Sequence, residues 1–394
     1  MSIIEPKPQT PLAAESKLFG RVMLCVTEDW FALSHFQPLI SLLVRLADQV
    51  VVVTRSSGRL HEIEALGART LDFEYHRASL SPRREVQSAR RLAAVIGAFE
   101  PDVLHLVAMK PIVLGGLAVR VASVPHVVVH LTGLGFLGIT ETPKVKLVRW
   151  IVLKHIAAML RRPGSWLLVE NSEDLAYLEA AGVSACDHHT ILGGAGIDPA
   201  HFPLQPQLVG RLSRAAFVGR MIRPKGVDVL IAASRLLAER GVPLQIDLYG
   251  HSDGGNPEAI EPSDLEAWNT EGHGRWHGPT RDVASVWKLA DIFVLPARSR
   301  EGLPRALLEA AASGRAAIVT DVPGCRSFVR DGIEGLIVPP ENAAALADAL
   351  DLLARNAALR RQLGLAARAR VLDGYTIAQV VTGLEHSYTA MLKR

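Results

Sequence analysis

Two carboxylates set eight positions apart, in Glu301-Gly-Leu-Pro-Arg-Ala-Leu-Leu-Glu309, are the side chains of this sequence best placed to grasp a ligand. The run Asp291-Ile-Phe-Val-Leu-Pro296 before them reads as a buried strand, and Gly302-Leu303-Pro304 as the turn that opens a helix. The first amides of a helix have no partner inside it and can face an anion. Glu309 is expected about two helical turns beyond Glu301, on roughly the same face, so that one carboxylate serves each end of a bound molecule. A turn residue and a solvated helix charge would show the same spacing, and the choice falls to the neighbouring residues.

Such side chains need a scaffold. In the N-terminal half, Arg21–Val26, Gln49–Val53, Asp102–Val107, His126–His130 and Trp166–Val169 are apolar runs of strand length set between helical stretches. From 211 onward the pattern restarts, with Ala215–Val218, Leu244–Tyr249, Asp291–Leu295, Ala316–Thr320 and Gly335–Val338. This alternation predicts an α/β fold of parallel sheets covered on both faces. The expected plan is a disordered lead-in (1–17), a first Rossmann-like domain (18–192), a Gly- and Pro-rich linker (193–210), a second Rossmann-like domain (211–375), and a C-terminal helix (376–394) packing back on the first. Open α/β sheets bind ligands beyond their strand ends, so a cleft between the domains is the expected site.

Composition sets outer limits. A chain of 394 residues, 49% hydrophobic and 21% charged, can bury large cores and has the make-up of a folded enzyme. A formal charge of +3 is too small for a dedicated nucleic-acid binder, and no nucleic-acid partner is expected. Cys25, Cys186 and Cys325 form no CxxC pair, which suggests neither a zinc site nor a disulfide framework and fits a reducing cytoplasm. The start lacks the charged and apolar segments of a secretory signal, and no run of about 18 uncharged apolar residues offers a membrane span. A soluble or peripheral protein is expected.

Gly219-Arg220, Lys225-Gly226, Gly250, His277-Gly278, the Glu301 to Glu309 segment, Gly314, Asp321, Gly324 and Asp331-Gly-Ile-Glu-Gly335 occur in that order. Together they resemble the signature of the family 4 glycosyltransferases of the GT-B fold, over almost the whole C-terminal half. The resemblance implies two Rossmann-like domains facing across a cleft and transfer of a sugar from a nucleotide-sugar with retention of anomeric configuration. It makes Gly219, Arg220, Lys225, Gly250, His277, Glu301, Gly302, Leu303, Pro304 and Glu309 donor-binding residues, with Glu309 on the ribose hydroxyls and Glu301 near the transferred sugar. His130, Glu301, Arg220 and Lys225 become the candidate catalytic set.

The chemistry agrees with those residue types. A nucleoside diphosphate leaves as negative charge grows on its β-phosphate, so something cationic must sit there. An Asp-x-Asp pair holding a divalent metal is one solution, and no such pair stands at a strand end. Arg220 and Lys225, a planar fork and a mobile point charge, are the other, so transfer without metal or other cofactor is expected. Front-face attack, with the leaving phosphate acting as base, needs no pair of acid and base carboxylates.

The first domain is expected to hold the acceptor. His130 ends Val127-Val-Val-His and precedes Leu-Thr-Gly133-Leu-Gly135, where it could contact the donor sugar or orient an acceptor hydroxyl, or serve the fold alone. His35, Lys110, Gly133 and Gly135 are candidate acceptor contacts. The loop Asp29-Trp-Phe-Ala-Leu-Ser-His35 departs from the paired glycines usual in the family. With Met109-Lys-Pro-Ile-Val-Leu-Gly-Gly116 and Thr132-Gly-Leu-Gly-Phe136 it is similar to a subgroup that acts on lipid-linked oligosaccharides. Residues 144–162 carry a Trp, six Lys or Arg and no acid, which suits an interfacial helix on anionic lipid at the inner face of the membrane, or a helix packed on its own sheet.

The expected function is a retaining glycosyltransferase, hexosyl or N-acetylhexosaminyl, taking a UDP-sugar in preference to a GDP-sugar and building a cell-surface glycan or its polyprenyl-diphosphate-linked precursor. Two competitors stand beside it. An NAD-dependent oxidoreductase needs Gly-x-Gly-x-x-Gly after a strand, whereas Arg21–Val26 runs into Thr-Glu-Asp-Trp. A non-catalytic paralogue would bind nucleotide-sugar without turnover, and Glu301→Gln separates it from an enzyme.

Overall fold

The structure is a computed structural model that describes residues 17–75, 81–133, 143–183, 188–207 and 212–393. Expectations for residues 1–16, Gly135, Phe136 and Cys186, and for the side chain of Lys144, lie outside the described residues. Seven strands form the first sheet: β1 (Phe19–Glu28), β2 (Ala47–Arg55), β3 (Arg69–Asp72), β4 (Val103–Val107), β5 (His126–Leu131), β6 (Ser165–Val169) and β7 (His189–Ile191). Six form the second: β8 (Ser213–Val218), β9 (Leu244–Tyr249), β10 (Arg275–Trp276), β11 (Ile292–Leu295), β12 (Ala316–Thr320) and β13 (Gly335–Val338). Their orders are β3-β2-β1-β4-β5-β6-β7 and β10-β9-β8-β11-β12-β13, and neighbours run parallel throughout.

Unbroken apolar strands follow from burial on both faces. Along β1, Met23 and Cys25 enter one core while Val22, Leu24 and Val26 enter the core on the opposite face. Side chains alternate across a strand, so a sheet with two covered faces has no polar positions to fill. The second sheet has the same character: β11 and β12 are buried at every residue.

Each strand order reverses once, between β1 and β4 and between β8 and β11. A reversal sends the two exit loops to opposite faces and leaves a crevice between them. The loops that leave these strands carry most of the candidate site residues.

Two crossings join the domains, and they pair with each other. Ile197 and Ile377 exchange backbone bonds with the opposite crossing, Ile197 N to the Tyr375 carbonyl at 2.9 Å and Ile377 N to the Ile197 carbonyl at 3.0 Å. Beyond the second crossing, the helix Ile377–Leu392 starts with a capping box of Thr376 and Gln379 and lies on the first domain. It buries Val380, Leu384, Tyr388 and Met391 in the core beside Phe19, Val22 and Leu43.

The helix Pro143–Leu160 divides between two surroundings. Its later turns bury Leu153, Ile156, Ala157, Met159 and Leu160 in the first domain, whereas Leu147, Trp150 and Ile151 are 58%, 57% and 52% exposed. No helix among the described residues is long and apolar enough to cross a membrane.

Candidate functional site

The loop after β8 turns through Gly219 and Arg220 into a short helical turn, Arg223–Lys225, and then into the helix Val227–Glu239. Gly226 takes φ +72° at that junction, and a Cβ there would meet the Pro296 carbonyl oxygen at 1.9 Å. Only glycine tolerates both conditions, so the turn can close on the end of β11. This closure sets Lys225 Nζ against Glu301, to which it donates at 2.8 Å. Arg220 donates to Asp253 of the loop after β9 at 3.0 Å.

The spacing expected between the two glutamates is corrected. The helix after β11 starts at Arg305, with Pro304 as its N-cap, so Glu301 stands ahead of the turn, as expected, and the two helical turns expected between it and Glu309 reduce to one. Glu309 is therefore one turn into the helix, held by Arg305 at 2.8 Å, and is buried. Prolines favour extended backbone in the residue before them, which keeps Leu303 out of the helix. Gly302, Leu303 and Pro304 are a non-helical arm between the end of β11 and that helix.

That arm is gripped by the first domain. Glu170, at the end of β6, accepts from the Leu303 amide at 2.7 Å, and Asn171 donates to the Gly302 carbonyl at 3.4 Å. Arg300 donates to Asp174 at 2.9 Å, and Arg326 pairs with Glu173. A Cβ on Gly133 would meet the Gly302 nitrogen at 2.8 Å. The Leu303 amide, expected to face the donor, is thus taken by Glu170. Burial pushes the Glu170 carboxyl up to about 8; its bond from Leu303 opposes the shift, while the charges of Asp174 and Glu301 add to it.

Across the cleft, the helix Asp29–His35 follows β1 directly. Buried Asp29 accepts from the amides of Trp30 at 2.6 Å, Ser57 at 2.6 Å and Arg59 at 3.0 Å, tying the exits of β1 and β2 together. Burial would raise its carboxyl, but the bonds from Ser57, Arg59 and Trp30 outweigh it and hold the group below its ordinary value. His35, half-buried, is pushed down to about 3 by burial and by the charges of Arg305, Lys225 and Arg220. The positive charges of three second-domain cations are thus felt at one histidine of the first.

The other expected contacts are more widely spread. His130 is 3% exposed at the end of β5, with its ring edge-on to that of Phe36 at a centroid distance of 5.4 Å. Burial pushes it down to about 3. Lys110, in the first turn of the helix after β4, donates to Glu85 at 2.6 Å. His277 stacks on Tyr249 at 4.5 Å and bonds Asp247 at 2.7 Å, which fixes the floor of the second domain's strand ends. Gly250, with φ +148°, places its nitrogen on the Gly278 carbonyl beside them.

Arg305, Asp29 and Glu170 were not among the expected residues. Arg305 lies inside the Glu301 to Glu309 segment, four residues from each acid, a signal available to inspection. Glu170 and Asp29 act through partners 133 and 28 residues away, which no local pattern records. Among the described residues no group of three or more His, Cys, Asp or Glu could hold a metal ion. An interdomain cavity of about 850 Å³ is lined by Glu170, Asn171, Gly193, Arg330, Arg370 and Tyr375, at the end of the cleft nearest the crossings. It contains none of the cations Arg220, Lys225 and Arg305.

A cluster of a lysine and two arginines, backed by glutamates and facing a second sheet, can take a diphosphate on one side and sugar hydroxyls on the other. Comparison with known proteins agrees. Residues 213–356 match the family model of Glycosyl transferases group 1, and 21–162 match that of Glycosyl transferase 4-like. The chain is 25% identical, over 84% of its length and 88% of the relative's, to the N,N'-diacetylbacillosaminyl-diphospho-undecaprenol alpha-1,3-N-acetylgalactosaminyltransferase of Campylobacter jejuni. It is 29% identical to the phosphatidyl-myo-inositol mannosyltransferase of Mycobacterium leprae, over 90% of this chain and 91% of that one. Among solved structures, HepE of Anabaena with UDP-glucose superposes with a TM-score of 0.74 at 15% identity, covering 94% of this chain and 99% of that one. The sucrose-phosphate synthase of Thermosynechococcus elongatus superposes with a TM-score of 0.78 at 19% identity, covering 95% and 99%. With two GT-B domains in place and both halves matched, the chain belongs to the family 4 glycosyltransferases.

Proposed function

We propose that this glycosyltransferase moves a sugar, with retention of anomeric configuration, from a UDP-sugar to a polyprenyl-diphosphate-linked or related glycan acceptor at the inner face of the membrane, as a step in cell-surface glycan synthesis. The observation that carries the reading is the set of cations at the mouth of the second sheet, Lys225 held on Glu301 at 2.8 Å, Arg220 in the same loop on Asp253 at 3.0 Å and Arg305 on Glu309 at 2.8 Å. Those cations supply fixed positive charge for a departing diphosphate, so the transfer proceeds without a divalent metal. The acceptor class follows the C. jejuni relative, whose name specifies an undecaprenol diphosphate. UDP is favoured over GDP in keeping with the HepE complexes of the same fold.

In this reading the donor diphosphate displaces Glu301 from Lys225, which frees the carboxylate for a sugar hydroxyl. Glu309 turns from Arg305 to the ribose. The β-phosphate oxygen that loses the sugar takes the acceptor's proton on the same face, so the new bond keeps the old configuration. His35, Lys110 and Gly133 border the acceptor side.

Exposed Leu147, Trp150 and Ile151 support a membrane contact. Trp150 and Ile151 also line an apolar groove of about 340 Å³ with Val113 and Leu117. Lys146 and Arg149 stand on the same helix, as an interfacial segment on anionic lipid requires.

The test is a thermal shift of the purified protein with UDP, GDP and ADP in excess EDTA, followed by transfer assays on Glu301→Gln. A ligand at 100 times its dissociation constant adds about 2.7 kcal/mol of stability. Stabilisation by UDP in EDTA, with transfer by Glu301→Gln reduced roughly a hundredfold or more, is the expected result. No shift until metal is added overturns the cation site. Binding without any transfer in the unmodified protein identifies a non-catalytic paralogue.

A further inference from the structure

His130 is the end of a buried line of polar contacts that starts on the returning helix. The Tyr388 hydroxyl lies 2.6 Å from His105 Nδ1, and His105 Nε2 lies 3.1 Å from His130 Nδ1. Tyr388 is 1% exposed, His105 0% and His130 3%. His130 Nε2 is sealed from water and has no hydrogen-bond partner among the described residues.

A neutral imidazole carries its proton on one nitrogen and a lone pair on the other. Burial keeps both rings neutral, with His130 held down to about 3 and His105 well below its ordinary range, the latter lowered further by His130. Each ring therefore has one proton to place, and placing it on one ring decides the next. Two directions are open. Either the phenol donates to His105, or His105 Nδ1–H donates to the phenol oxygen.

What each direction leaves buried separates them. Among the described residues His105 is the only hydrogen-bond partner of the Tyr388 hydroxyl, so an N–H given by His105 would leave the phenol proton buried without an acceptor. Tyr388 is therefore the donor. A phenol is also acidic and an imidazole lone pair a strong acceptor, which favours the same direction. His105 then holds its proton on Nε2 and gives it to His130 Nδ1. His130 is left with its proton on Nε2.

We propose that Tyr388 and His105 are positioning residues that fix the proton arrangement of His130, so that this strand-end histidine offers the site an N–H donor and has no lone pair with which to take a proton. It suits His130 to a sugar hydroxyl or ring oxygen and rules it out as the base that deprotonates the acceptor. Phe36, which follows His35 directly, packs edge-on against the same ring. The placement of His130 against a sugar rests on the function proposed above; its proton arrangement does not.

Long-range ¹H–¹⁵N spectra of histidine-labelled protein read that arrangement directly. The expected spectrum shows His105 and His130 neutral from pH 5 to 8, each protonated at Nε2. Tyr388→Phe, with folding checked by its amide spectrum, should convert the pair to mixed forms with His130 Nδ1–H appearing. His130 protonated at Nδ1, or charged, in the unmodified protein overturns the proposal, as does an unchanged spectrum in Tyr388→Phe. In transfer assays His130→Gln, which retains an N–H donor, should keep roughly tenfold more activity than His130→Ala. Equal losses would point to a base and overturn the donor role. Absence of transfer in the unmodified protein would sink the proposed function and leave the spectral result standing.

Discussion

His35 sits where the two domains exchange charge, and its titration reports on that exchange. Burial and the charges of Arg305, Lys225 and Arg220 all oppose protonation of the ring, which brings it down to about 3. A diphosphate lodged among those cations would cancel much of their field, so protonation should become easier. NMR titration is expected to show His35 neutral through pH 5 without nucleotide and its pKa raised once UDP is bound. A ring that titrates near 6.5 without nucleotide would mean that the cations do not face it. At this scale the sequence was informative about residue type and blind to partnership. Lys225, Glu301 and Arg220 stand out because glycines bracket them, yet nothing local says that Lys225 bonds Glu301 or that Arg305 joins the cluster. Glu309 was expected about two helical turns beyond Glu301, on roughly the same face. Pro304 delays the helix, and the pair is divided between the loop before the arm and a position one turn into the helix.

Among elements, the grip of β6 and its following helix on the Gly302–Pro304 arm has a pH dependence of definite sign. The Glu170 carboxyl stands near 8 when folded, above the 4.5 of a free glutamate. The folded form thus binds more protons between those values, and stability falls as pH rises through that range. The contribution is full below about 4.5 and lost as pH passes about 8, on the order of a few kcal/mol. Glu170→Gln keeps an acceptor for the Leu303 amide and has no proton to lose. Its Tm is expected to exceed that of the unmodified protein at pH 8–9, with the two curves converging towards pH 5. Parallel curves would show that Glu170 ionises freely. Long strands were legible because burial on both faces makes them continuously apolar. The edge strands β3 and β7 were not, being four and three residues long with partly exposed positions. The grip itself was invisible, since Glu170 and Leu303 are 133 residues apart and meet only through the placement of two domains.

For the molecule as a whole, a net charge of +3 says little about partners, whereas its distribution says more. The helix Pro143–Leu160 exposes Leu147, Trp150 and Ile151 on the first domain. Sedimentation with vesicles containing anionic lipid should recover the protein, with recovery falling as salt rises because surface attraction is screened beyond about 10 Å at 0.1 M. Trp150→Ser should reduce recovery several-fold and leave Tm nearly unchanged, since the ring is more than half exposed. Equal recovery on neutral and anionic vesicles, or none on either, would remove the membrane from the proposed function. The two-domain plan was visible in the sequence as a pattern that restarts near residue 211. Which face of this helix meets water was not, because its cations and apolar residues are mixed along its length without a clean stripe.

The returning helix also bears on how the chain is made. Val380, Leu384, Tyr388 and Met391 complete a core whose strands are all synthesised by Ile191. On the ribosome, the first domain must therefore wait, open along that face, while the entire second domain is translated, on the order of ten to thirty seconds at about 5–20 residues per second. The second domain, whose core draws on residues 197–371, can close first. Birth order and folding order are thus reversed for the two halves, and the domain that emerges first is the last to be finished.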